Sequence, residues 1–189
     1  MESFRWIAVA VSMILGIGVT RLLSSAVMIV RNRTDFQLDL LPLAWSAFVF
    51  IAQIQFWWAI IELSTIMKAW TLASFLALLS MPLLLFIAAA LVLPHEPRPR
   101  DLDLRDSFQR DGRIALIALA LYNSIACAVD AAWWSRDFVN LQGAMLIALA
   151  ILPVLVFFAS RRWVQWSITA AYALLLIVSD IEVSPSAYS

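Results

Sequence analysis

The chain has 189 residues, 63% of them hydrophobic and 14% charged, with 13 basic side chains balanced by 13 acidic ones and a mean hydropathy of +0.89. A soluble domain carries roughly a quarter charged residues, so this composition excludes an ordinary water-soluble fold and points to a lipid environment. A net charge of zero offers nucleic acid no electrostatic footprint, and the single Cys127 excludes an intrachain disulfide.

In chain order, long apolar runs, each ending in tryptophan, charge or proline, predict an all-α, polytopic integral membrane bundle of about six spans of roughly 20 residues each. The expected spans are 4–30, 40–63, 70–93, 114–134, 141–160 and 163–179, in a single transmembrane domain covering residues 1–189. The first run is too long for a signal peptide core, is interrupted by Arg21, and has no small-residue cleavage site, so it reads as a retained span. Only Ser160-Arg161-Arg162 separates the last two runs and the sixth is short, which keeps a five-span arrangement as the alternative. Between the third and fourth spans, Pro94, Pro97 and Pro99 end a helix and open a polar cytoplasmic loop, 94–113. Within it Asp101/Arg105 and Asp106/Arg110 stand at helical spacing, with Leu104 and Phe108 on one face. That pattern fits a short helix on the membrane surface or a solvated connector carrying surface ion pairs.

Basic residues near span ends are retained on the cytoplasmic side. Arg31, Arg33, Arg98, Arg100, Arg105, Arg110, Arg113, Arg161 and Arg162 fall in the first, third and fifth loops, against Arg5, Lys68 and Arg136 on the other side. Both termini are therefore expected outside. Tryptophans layer accordingly, with Trp6, Trp57, Trp58, Trp70, Trp133 and Trp134 near the outer interface and Trp45, Trp163 and Trp166 near the inner one. The expected location is a plasma membrane of the bacterial inner-membrane kind.

Polar and small residues inside the spans are the candidates for function. Ala8, Ser12, Gly16, Thr20 and Ser24 recur every four residues along the first helix and predict a face on which backbones approach closely. Beside it, Arg21 either reaches the inner headgroups or faces the bundle and holds a carboxylate, carbonyls or an anion, because an arginine in hydrocarbon costs several kcal/mol otherwise. On the fourth helix Asn123, Cys127 and Asp130 align at i, i+4 and i+7, and on the second Gln55 and Glu62 align while Gln53 points elsewhere. Glu62, Asp130 and Asp180 belong to the outer level and could line an acidic vestibule. Pro82 and Pro153 lie in mid-span, and each frees a backbone carbonyl. Interrupted helices in two halves can mark a transporter's binding site, but residue-level similarity between spans one to three and four to six is not convincing.

Two functions from different classes follow. In one, Arg21, Gln53, Gln55, Glu62, Asn123 and Asp130 form a polar seam through which a small channel or transporter passes an ion or small polar solute. In the other, Gln and Asn merely bond across helices as packing glue, and the chain is a noncatalytic accessory or scaffold subunit. The bilayer is the expected partner, together with a second copy or another membrane subunit. An enzyme is not expected, nor any cofactor or metal. His95, the one histidine, lies in a loop; Lys68, the one lysine, lies in a turn; neither haem ligation nor a retinal Schiff base has its residue within a span.

Overall fold

The computed structural model describes residues 2–34, 37–66, 71–95, 103–134 and 141–183, with the backbone alone at 2–5, 61–66, 73, 132–134, 141–142 and 180–183. Lys68, Trp70, Pro97, Arg98, Pro99, Arg100, Asp101 and Arg136 lie outside the described residues, as do the side chains of Arg5, Glu62, Trp133, Trp134 and Asp180. Nearly everything described is helical: α1 (Glu2–Arg31), α2 (Leu40–Ile66), α3 (Leu72–Val92), α4 (Leu104–Ser107), a π-helical turn (Phe108–Gly112), α5 (Arg113–Trp134), α6 (Leu141–Phe158) and α7 (Arg162–Val183). Four stretches, Trp6–Arg31, Leu40–Ile60, Ser74–Val92 and Leu104–Ala131, are long and apolar enough to cross a membrane, and Gly143–Phe158 is a shorter apolar helix. The chain divides into two compact units, Met1–Leu119 and Ala120–Ser189.

In the first unit the helices start where a side chain can cap them. Asp39 accepts the Leu41 N–H at 3.0 Å before α2. Thr71 accepts the Ser74 N–H at 3.1 Å before α3, and Asp103 accepts the Arg105 N–H at 2.8 Å before α4. Each supplies an acceptor to an otherwise open first-turn donor. Helix α1 packs on α2 and α3, and α2 packs on α3. The buried side of α1 is Val11, Leu15, Gly18, Leu22, Ser25 and Ile29. Alternating steps of four and three residues keep that line on one side of a helix.

The four-residue stripe does not follow that buried line. At about 100° per residue each four-residue step drifts by about 40°, so Ala8 to Ser24 winds by about 160° around the axis. Ala8 and Ser12 are half-buried, whereas Gly16, Thr20 and Ser24 are exposed. Gly18 makes the close approach instead: a Cβ there would stand 2.9 Å from Nε2 of Gln53, while nothing lies within 4 Å of a Cβ on Gly16.

Trp45 differs from the other described tryptophans in its burial. It is fully buried, edge-on to Phe48 with ring centroids 5.4 Å apart. Trp6, Trp57, Trp58, Trp163 and Trp166 are exposed, as residues of interfacial belts would be. A further difference concerns the polar loop. Helical structure resumes at Leu104 rather than Ile114 and runs through the π turn into α5. Leu104 and Phe108 are buried on one side, as their spacing implies; α4 packs on α2 and the π turn on α3. Phe108 lies over Gly112, where a Cβ would come within 2.5 Å of its ring, so only glycine fits. Arg110 pairs with its neighbour Asp111 at 3.0 Å, both about half exposed, a contact of little energetic weight.

In the second unit α6 packs against α7. Its buried side chains include Tyr122, Leu149, Val156, Gln165, Thr169, Tyr172 and Leu176. Pro153 is buried within α6. Buried polar side chains hold a fold together only where they find hydrogen-bond partners. The polar members of these cores therefore bear directly on how each unit holds together.

Candidate functional site

Arg21 is half-buried on α1. Its guanidinium donates to Ser25 Oγ at 3.1 Å and to the carbonyl of Ala90 at 3.3 Å. The side chain thus extends toward the C-terminal end of its own helix, the direction of a snorkel, but its head ends on protein. The reason lies in α3. The Ala90 carbonyl would ordinarily accept from the residue four positions on, which is Pro94 and has no N–H. Helix α3 ends at Val92, so this carbonyl also belongs to the last turn, where the negative end of the helix dipole favours a cation. Of the two readings of Arg21, the geometry is that of a bundle-facing arginine holding a carbonyl.

Gln53 stands one turn of α1 away, against Gly18. It is 1% exposed; Nε2 reaches toward the Leu85 carbonyl at 3.5 Å, and Oε1 is buried with no hydrogen-bond partner among the described residues. Gln55 is half-buried. Glu62 belongs to α2, and its side chain lies outside the described residues.

In the second unit the same logic appears in mid-helix. Pro153 leaves the Leu149 carbonyl, four positions back, without its helical donor. Asn123 Nδ2 donates to that carbonyl at 3.0 Å and to the Tyr172 hydroxyl at 3.4 Å. Asn123 thereby ties α5 to both α6 and α7. Cys127 and Asp130 follow on α5, each half-buried.

Three of the anticipated polar residues are therefore placed by backbone chemistry. Asn123 answers the carbonyl that Pro153 opens in α6, Arg21 answers one left open in the last turn of α3, and Gln53 fills the space beside Gly18. Three contributors were not anticipated: Ser25 as a partner of Arg21, Tyr172 as a partner of Asn123, and Gln165. Gln165 is fully buried, and its Nε2 donates to the Ala159 carbonyl at 2.8 Å, tying the start of α7 to the end of α6. The signal for Tyr172 was a tyrosine in an apolar run, since a buried phenol needs a partner. Gln165 sits between Trp163 and Trp166 in sequence.

Among the described residues, no three His, Cys, Asp or Glu side chains are grouped so as to hold a metal ion. Compared with protein-family models, curated proteins and solved structures, the chain matches none of them.

Proposed function

We propose that this chain is an integral membrane bundle of six spans with both termini outside, acting as a noncatalytic accessory or scaffold subunit that joins other membrane helices through the outward side of α1. One observation carries the reading. Gly16, Thr20 and Ser24 form a small-residue surface facing away from the unit, with open space over Gly16, on a helix whose opposite side is committed to α2 and α3. Small-xxx-small surfaces let a second helix approach closely enough for dispersion and backbone contacts to hold it in lipid. Thr20 Oγ1 already donates to the Gly16 carbonyl at 2.8 Å, so the surface carries little unmet polarity into the bilayer. Arg21 and Asn123 support the reading from the other side, because their donors serve internal carbonyls.

The six-span count rests on α6 and α7, with 18 and 22 residues, or about 27 and 33 Å of rise at 1.5 Å per residue. Both are close to the hydrocarbon thickness of about 30 Å. The reading of outside termini rests on the sequence positions of Arg31, Arg33, Arg105, Arg110, Arg113, Arg161 and Arg162 in the first, third and fifth loops, since basic loop residues are retained on the cytoplasmic side. The membrane is a plasma membrane of the bacterial inner kind.

Gly16→Leu tests the function directly, since the open space over Gly16 tolerates a side chain within the protomer. The variant is expected to keep its thermal stability and to lose its oligomer or partner in native mass spectrometry. An assembly that survives the change contradicts the proposal.

A second reading, a channel or transporter for an ion or small polar solute, is favoured by Gln53, whose buried Oε1 is a spare acceptor beside Arg21's helix. Under this reading reconstituted liposomes pass ions or solute and Gln53→Leu abolishes the flux. Silent liposomes remove it.

A further inference from the structure

The turn between α6 and α7 breaks an electrostatic rule. Arg161 and Arg162 are consecutive cations at the start of α7, where the helix dipole is positive and where acidic side chains normally stand. No acidic residue occupies the first turn of α7, and the sequence contains neither Asp nor Glu from Leu141 to Ser179. The turn is nonetheless firmly built. The Ala159 N–H is shared between the Leu155 and Val156 carbonyls at 3.0 and 3.2 Å, the Gln165 N–H closes onto the Arg161 carbonyl at 3.1 Å, and the buried Gln165 side chain holds the Ala159 carbonyl. The fold thus fixes two like charges together at the positive end of a helix.

The surroundings are those of a membrane interface. Arg161 is exposed and Arg162 half-buried, with the Arg162 guanidinium 5.9 Å from the centre of the Trp166 ring. Trp163 is 65% exposed beside them. Below the turn, Ile147, Ile151, Leu155 and Phe158 recur at helical spacing on α6, and all are exposed. A ligand matching this surface is anionic at one end and apolar along its length.

We propose that Arg161 and Arg162, with Trp163 and Trp166, bind the phosphate headgroup of an anionic phospholipid whose acyl chain lies along the Ile147–Phe158 stripe. Two guanidiniums suit a phosphate because each presents a planar fork of donors. The indole rings prefer the headgroup depth, and basic clusters on membrane helices select anionic lipids. The proposal rests on the membrane-spanning reading of α6 and α7.

Native mass spectrometry of the full chain released from nanodiscs of phosphatidylglycerol mixed with phosphatidylcholine tests it. Wild-type protein is expected to retain phosphatidylglycerol preferentially, and R161Q/R162Q to bind it about 30-fold more weakly, the loss expected for two cations at an anionic surface. R161K/R162K, which keeps the charge, is expected to retain part of the preference, and W166L to weaken it. R31Q/R33Q, which removes an arginine pair from another turn, is expected to leave it intact. Excess inorganic phosphate is expected not to displace the lipid; displacement would assign the pair to free phosphate and overturn the lipid site. Equal retention by R161Q/R162Q and wild type, or equal loss in R31Q/R33Q, overturns the site while leaving membrane insertion standing. Failure to enter nanodiscs of either lipid overturns the spanning reading as well.

Discussion

The two units meet the same difficulty with different chemistry. In the first, Pro94 and the end of α3 leave the Ala90 carbonyl open and a charged guanidinium comes to it from α1. In the second, Pro153 opens the Leu149 carbonyl inside α6 and a neutral amide comes from α5. The difference follows from where each carbonyl stands. At a helix end, several carbonyls and the negative pole of the dipole gather where a long side chain can bring a charge at modest cost. In mid-helix there is one vacant carbonyl in apolar surroundings, where a cation would cost several kcal/mol and a neutral donor is enough. In these two cases the place of the open carbonyl decides whether its donor is charged.

The largest expected effect is at Asn123. Asn123→Ala removes the bonds to Leu149 and Tyr172 and leaves a buried carbonyl without a donor, with an expected loss of about 2 kcal/mol in a reversible detergent or bicelle unfolding assay. Arg21→Met keeps the length and loses the donor. Because the Ala90 carbonyl is near a helix end that water or headgroups can reach, about 1 kcal/mol is expected, and a loss larger than that of Asn123→Ala would reverse the comparison. Gly18→Ala is expected to cost a similar amount, about 1 kcal/mol, by pressing on the buried Gln53. Gly16→Leu, two residues away and facing open space, is expected to change protomer stability by less than about 0.5 kcal/mol.

Much of the fold was readable in the sequence, and the failures have physical causes. The helices lie where the apolar runs predicted them, because proline, charge and tryptophan mark their ends. The open carbonyl at Leu149 was implied by Pro153 alone, since the missing donor sits at a fixed spacing. That Asn123 would supply it was not implied, because the pairing depends on how α5 is turned against α6. The side of α1 buried within the unit follows the line through Gly18 and Ser25, whereas a four-residue repeat winds around a helix whose turn is 3.6 residues and leaves Gly16, Thr20 and Ser24 exposed. Trp45 looked like the other tryptophans near span ends, yet its neighbours bury it, and composition carries no mark of that. The side chain of Glu62 lies outside the described residues.

If Asn123 serves the Leu149 carbonyl that Pro153 vacates, the two residues must be energetically coupled, and a double-mutant cycle between them measures that coupling. Pro153→Ala restores the N–H that the Leu149 carbonyl lacks, so Asn123→Ala should cost at least about 1 kcal/mol less in the Pro153→Ala background than in the native one. If the two substitutions are additive, Asn123 is held in place by something other than the Leu149 carbonyl, and the vacated-carbonyl explanation is contradicted.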